Sequence, residues 1–270
     1  MNQIQQADQL VCKIQVSDIE EVSDFFLALG ASKTPKLPEA SARSVTLKVG
    51  EGFIALSPST DDQYFYPEMS VQMNSSEPSN WIDRLRNLTN TEPDSSAELD
   101  VMSPSGPLFS FRNKLIKLKS QSESLTTIQG DGVVLHFQIT WWAKKWLDDY
   151  GFLSNVLGLT TSRGRSGPEG SRIAFLRAAN SGRSIVEIVD GLYDQHEGPE
   201  LHWLISLVVD NAEIFHERMV SAGQHVSALG YTSWNAHSFT AKSPSGPLLF
   251  VYQERPNGTP GMVGQPAGLD

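Results

Sequence analysis

The chain has 270 residues, 39% hydrophobic and 19% charged, the profile of a globular protein with room for two cores of ordinary size. Its formal net charge of −10 excludes nucleic-acid binding by phosphate neutralisation and disfavours anionic membrane surfaces. A single cysteine, Cys12, excludes an intrachain disulfide and a thiolate-rich metal site; with no basic and apolar leader at Met1–Gln6 and no apolar run near ~20 residues, the expected location is the cytoplasm.

Val11–Val16 alternates apolar and polar residues and predicts a strand. The next segment predicts a helix, with Ser17 or Asp18 as its cap, Glu20 and Glu21 in its first turn and Gly30 at its end. Strands are expected at Ser44–Val49 and Gly52–Ser57, joined by the turn Gly50-Glu51. A second unit opens near Met69–Met73, continues through a helix at Ser79–Leu88 and closes with a strand at Leu108–Arg112. Residues 114–130 are polar and predict a connection, with a short strand at Leu115–Leu118.

The plan then recurs. Val133–Thr140 predicts a strand, and Lys144–Leu157 a helix ended by Gly158, with Trp141, Trp142 and Trp146 at its start. Arg163–Gly170 predicts a mobile loop whose Arg163 and Arg165, with Arg172, are placed to meet an anion. Strands follow at Arg172–Arg177 and Ser184–Val189, separated by the turn Asn180-Ser181-Gly182, and then at Leu201–Val209. Asp210 is the expected cap of a helix at Ala212–Ala222, and strands at Ser238–Lys242 and Leu248–Gln253 close the fold. The tail from Pro256 is rich in Gly and Pro and predicts loose packing.

The hexapeptide Ser-Pro-Ser-Gly-Pro-Leu stands at Ser103–Leu108 and again at Ser243–Leu248, 140 residues on, which indicates an internal duplication. The expected domains are 1–113, joined by 114–130 to 131–255, with a tail at 256–270. The halves differ in chemistry: all six histidines and five of the six tryptophans lie in the second.

Four βαβββ units in one chain resemble the vicinal oxygen chelate superfamily of glyoxalase I, extradiol dioxygenases and bleomycin- and fosfomycin-resistance proteins. The resemblance spans roughly residues 9–254. It rests on the aromatic-rich helices ending in Leu-Gly at Phe25–Gly30 and Phe152–Gly158, on Val208-Val209-Asp210 before a helix, and on the two Ser-Pro-Ser-Gly turns. It implies an α+β fold of two tandem domains, each a cup-shaped mixed sheet built from paired modules with helices outside. It also implies one divalent metal held by the first and last strands of two modules.

Carried onto the second half, those positions fall on His136, Glu187 and His202, with Phe250 where the fourth ligand should be an acid. The strand-to-strand separations, 51 residues from His136 to Glu187 and 48 from His202 to Phe250, suit the family's plan. The register of His202 falls one or two residues short of the expected position, near Trp203 or Leu204. Two imidazoles and a carboxylate suit Fe(II) oxygen chemistry; Zn, Mn or Ni fit the same set. Independently of the family, Glu187 lies among Ile185, Val186, Ile188 and Val189, and a buried carboxylate requires a counter-charge, a metal or a proton. In the first half the matching positions, Val11 or Lys13, Ala55–Ser57 and Ser110, supply no ligands of the usual kind.

Tyr252 and His237 are the candidate acid–base groups. His196, His216 and His225 are expected on the surface. The expectation is thus a small-molecule enzyme with dioxygenase, lyase or isomerase chemistry on neighbouring oxygens, with module pairing either within each half or through a homodimer. The missing fourth acid and the aromatic content favour a rival from another class, a metal-free ligand-binding protein of the same fold.

Overall fold

The computed structural model of the chain describes residues 9–34, 44–59, 68–72, 98–102, 108–112, 131–166, 172–178, 185–190, 203–232, 235–244 and 248–254. The helix expected at Ser79–Leu88, the strand at Leu115–Leu118, both Ser-Pro-Ser-Gly turns in their greater part, His196 and the C-terminal tail lie outside them.

The first half contains β1 (Gln9–Val16), α1 (Ile19–Ala28), β2 (Ser32–Lys33), β3 (Val45–Val49), β4 (Gly52–Pro58), β5 (Glu68–Gln72), β6 (Glu98–Met102) and β7 (Leu108–Arg112). The Asp18 carboxylate caps α1 by accepting the Glu21 N–H at 2.9 Å. Val22, Phe25 and Phe26 form the buried stripe of α1. The second half contains β8 (Val134–Ala143), α2 (Trp146–Gly151) running into a π-helical turn at Phe152–Val156, β9 (Thr160–Ser166), β10 (Arg172–Arg177) and β11 (Val186–Asp190). It continues with β12 (Trp203–Val209), α3 (Ala212–Ser221), β13 (Gly230–Tyr231), β14 (His237–Lys242) and β15 (Leu248–Gln253).

Each half forms one mixed sheet. Strand order is β2-β3-β4-β1-β5-β7-β6 in the first and β13-β14-β15-β12-β8-β11-β10-β9 in the second. The centre of each sheet is an antiparallel pair of module-opening strands, β1 with β5 and β8 with β12. Each opening strand is flanked on its other side by a later strand running parallel to it: β4 beside β1, β7 beside β5, β11 beside β8 and β15 beside β12. Modules therefore pair within each half. The architecture is α+β, with the described helices packed against the sheet of their own half.

Three local expectations change. Trp141 and Trp142 belong to β8, because ladders on both sides, to β11 and to β12, extend the strand past Thr140. Arg163 to Ser166 lie in β9, where pairing with β10 satisfies the backbone of a segment whose composition resembles a loop. Asn211, not Asp210, caps α3, its Oδ1 accepting from the N–H groups of Glu213 and Ile214. Asp210 instead accepts the Val133 N–H at 2.6 Å and ties the entry of β8 to the end of β12.

The two halves meet where β8 projects beyond its neighbour. β11 pairs with β8 from Ile139 onward, so the backbone edge at Leu135 extends past β11. The β3–β4 turn fills that edge, and the Glu51 N–H donates to the Leu135 carbonyl at 3.1 Å.

Cys12 is fully buried in β1 on the side of the first core, and burial pushes its thiol pKa far up. It is expected to resist a thiol reagent such as dithiobisnitrobenzoate in the native protein and to react fully once denaturant unfolds the chain. Fast labelling without denaturant would show that the first sheet opens readily.

Candidate functional site

The second sheet has one apolar face and one that mixes polar, aromatic and aliphatic residues. Phe137, Ile139 and Trp141 of β8, Val186 and Ile188 of β11, Ile205, Leu207 and Val209 of β12, and Leu249 and Val251 of β15 are all buried in the core. The helices lie on this side: the Trp146 indole N–H donates to the Ile188 carbonyl, and Phe215 of α3 meets Phe239 of β14. Alternation turns the other residues to the opposite, inner face. These are His136, Gln138, Thr140 and Trp142 of β8, Glu187 of β11, Leu204, Ser206 and Val208 of β12, and Phe250 and Tyr252 of β15.

The polar residues of the inner face form two hydrogen-bonded groups. Glu187 stands between Thr140 of β8 and Phe175 of β10 in the strand pairing. The Thr140 hydroxyl donates to Glu187 Oε2 at 2.7 Å and lies 3.3 Å from the Ser206 hydroxyl. A threonine has one hydroxyl proton, and here it goes to the carboxylate. In the second contact Ser206 is therefore the donor and Thr140 the acceptor. The polarity runs from Ser206 through Thr140 to Glu187, and the short O–H···O distance suits an ionised carboxylate at its end. In the second group, the Tyr252 hydroxyl donates to Gln138 Oε1 at 2.7 Å. Gln138 is fully buried, and its Nε2 has no hydrogen-bond partner.

The register separates the residues expected to act together. His136 is buried and shares the inner face with Glu187, but it pairs with Val208. The residue beside Glu187 is Thr140, four positions along β8, which sets the backbones of His136 and Glu187 roughly 14 Å apart. Gln138 intervenes, so the two side chains are not co-ligands of one ion in this arrangement. His202 lies outside the described residues; Trp203 pairs with Trp141, and Leu204 with Thr140. Phe250 stands beside Ser206 as Glu187 stands beside Thr140. The four inner positions related by module symmetry are thus Thr140, Glu187, Ser206 and Phe250.

Tyr252 is on the inner face, 95% buried, with its proton directed to Gln138. His237 is not. It opens β14 in the alternating set that includes Phe239 on the helix side, and its Nδ1 lies 3.0 Å from Glu213 of α3. The strand, which begins one residue earlier than expected, sets it beside the Glu213 carboxylate and away from the inner face. Arg172 lies over the Trp146 ring at 5.7 Å, engaged in packing. In the first half, Lys13 pairs with Ala55 and Ser70 with Ser110, so the positions matching Thr140, Glu187, Ser206 and Phe250 hold no carboxylate or imidazole.

No protein-family model matches the chain, and no curated protein matches it in sequence. Solved structures do match in fold. The Mn(II)-bound glyoxalase from Novosphingobium aromaticivorans superimposes with a TM-score of 0.58 at 15% identity, over 93% of this chain and 82% of that one. The 2,3-dioxygenase LapB from Pseudomonas sp. KL28 gives 0.58 at 11% identity, over 94% of each chain. An extradiol ring-cleaving dioxygenase from B. fuscum gives 0.61 at 13% identity, over 95% of this chain and 74% of that one. The chain has the vicinal oxygen chelate fold.

The metal implied by that fold finds a poor donor set among the described residues. No group of three His, Cys, Asp or Glu side chains converges there. At the symmetry-related positions one carboxylate meets two hydroxyls and a phenyl ring, and Thr140 already holds the carboxylate. Neutral hydroxyls are weak ligands for Fe, Mn, Ni or Zn, which take imidazole, carboxylate or thiolate. Among the described residues, no helix is long and apolar enough to cross a membrane.

Proposed function

We propose that the second half is a small-molecule-binding domain that works without a transition metal, using the inner face of β8, β11, β12 and β15 as its pocket. The observation that carries this reading is the Ser206–Thr140–Glu187 hydrogen-bond chain, which fills three of the four inner positions related by module symmetry. Glu187 is the anchor. A carboxylate has about four lone-pair sites, so holding Thr140 leaves capacity for a donor on a ligand. Phe175, Phe250 and Tyr252 supply aromatic contact area around it. The structures that match in fold include enzymes named for trihydroxybiphenyl, catechol and homoprotocatechuate, and a hydroxylated aromatic is the ligand class this face suits. The protein then acts in the cytoplasm on a small organic molecule, with no role for nucleic acid.

A second reading, a divalent-metal enzyme of the vicinal oxygen chelate type, is favoured by the Mn(II)-bound glyoxalase and the dioxygenases that match over 93–95% of the chain. Its ligands would be Glu187 and His202, with His136 joining them only if β8 and β11 paired in another register; Fe(II) is preferred over Zn, Mn or Ni, and a metal would supply Lewis-acid or O₂-activating chemistry.

Metal content separates the two. Protein purified anaerobically and offered each metal in turn is expected to stay well below one equivalent by mass spectrometry. Phenol is expected to quench tryptophan fluorescence in wild type and to bind about tenfold more weakly to Glu187→Met, the loss of one hydrogen bond to a charged acceptor. Near one equivalent of metal, lost in both Glu187→Ala and His136→Ala, would instead establish the metal enzyme.

A further inference from the structure

We infer that the chain associates with a second copy of itself, β6 of one copy pairing edge to edge with β9 of the other. Both are terminal strands, β6 (Glu98–Met102) of the first sheet and β9 (Thr160–Ser166) of the second. Among the described residues β6 pairs with β7 alone and β9 with β10 alone. Each therefore turns one row of backbone N–H and carbonyl groups away from its sheet. Such an edge is a template for another strand, and charge on it controls which strand it accepts.

The two edges carry opposite charges at the same spacing. β6 contains Glu98-Leu99-Asp100 and β9 contains Arg163-Gly164-Arg165, a charge at every second position in each. Residues two apart share a face. Arg163 stands opposite Phe175, which stands opposite Glu187, so the arginines belong to the inner face of the second sheet. Asp100 stands opposite Ser110, which pairs with Ser70, so the acids belong to the matching face of the first. Two sheets joined edge to edge with these faces on the same side bring both acids opposite both arginines, whether the strands run parallel or antiparallel. Opposite charges facing each other across a strand pair are favourable, and like charges destabilise. Antiparallel pairing of β9 with its own copy about Gly164 would set arginine on arginine, and of β6 about Leu99 acid on acid. Each edge thus refuses its own copy and accepts the other. Glu98 has Arg112 opposite it within its own sheet, so Asp100, opposite the neutral Ser110, is the stronger acidic determinant. The contact is not an exchange of modules, because β1 pairs with β5 and β8 with β12 within each chain. When each copy's β6 meets the other's β9, the contact occurs twice and the assembly closes as a dimer.

Sedimentation velocity on the full chain tests the pairing. Wild type is expected to sediment as a dimer at low salt and to shift toward the monomer as salt screens the charges. Arg163→Glu with Arg165→Glu is expected to be monomeric alone, and so is Glu98→Lys with Asp100→Lys, because both edges of each variant then carry one sign. Mixed in equal amounts, the two variants are expected to recover the dimer: the new acidic β9 meets the new basic β6, and the two unaltered edges meet each other. Recovery on mixing also shows both variants to be folded. The milder Arg163→Gln with Arg165→Gln removes charge without reversing it and is expected to dimerise about tenfold more weakly. A wild type that stays monomeric at low salt and high concentration would overturn the inference. So would a dimer that the glutamine variant and both reversals leave intact, which would place the contact elsewhere on the chain. Two reversal variants that keep wild-type circular dichroism yet stay monomeric on mixing would overturn the pairing of these two edges.

Discussion

Gly50→Ala and Gly52→Val are each expected to cost roughly 3 kcal/mol of stability, through the contact between the halves. A Cβ on Gly50 would overlap the Leu135 carbonyl, which is backbone and cannot swing aside. Gly50 also has a φ of +57°, so a side chain there adds left-handed strain. A Cβ on Gly52 would enter the ring of Phe137, a residue 98% buried in the core of the second half. Both changes also threaten the hydrogen bond from the Glu51 N–H to Leu135. Gly30→Ala is the control. Its φ of +96° carries strain, but a Cβ there meets nothing within 4 Å, so the expected loss is only about 1 kcal/mol. Denaturant unfolding of the three variants, followed by fluorescence, orders them. If Gly50→Ala were no worse than Gly30→Ala, the β3–β4 turn would not be seated on β8.

Much of this fold is legible in the sequence because its elements carry strong local signals. The closing strands β7 and β15 fall at Leu108–Arg112 and Leu248–Gln253 as their position after the repeated turns predicts. The helix at Ile19–Ala28 is marked by its cap, its acidic first turn and its apolar spacing. The errors lie where tertiary pairing overrides local composition. Trp141-Trp142 continues a strand because two neighbours bond to it, and Arg163–Ser166 is held extended by β10. The site shows the same division. Alternation along β8 gives the correct face to His136, since Phe137, Ile139 and Trp141 go to the core. What one strand cannot disclose is its register against the next, and a shift of four residues keeps the face while changing every neighbour. Thr140 and Ser206 were discoverable from the same alternation. Gln138 and Thr140 continue the polar series of β8, and Ser206 is a lone polar residue in the apolar run Trp203–Val209.

A double-mutant cycle between Thr140→Val and Glu187→Met is expected to give a coupling of about 1.5 kcal/mol, the lower part of the range for a hydrogen bond to a charged group. The lower part applies because Glu187 is only half-buried and water competes for its oxygens. Thr140→Val preserves shape and deletes the hydroxyl, while Glu187→Met roughly preserves volume and deletes the carboxylate. Each single change breaks the 2.7 Å bond, so the pair together should cost less than their sum. Coupling of Thr140 with Ser206→Ala should be smaller, because that 3.3 Å contact is longer and joins two neutral hydroxyls. The cycle also bears on the metal. With Glu187 bound to Thr140 and to no ion, a chelator leaves the coupling unchanged. With Glu187 on a metal, the carboxylate has less density to offer the hydroxyl, so the coupling would be weak in the loaded protein and rise when the ion is stripped. Measuring the cycle with and without chelator therefore asks whether the hydroxyl chain from Ser206 to Glu187 is the native occupant of the inner face.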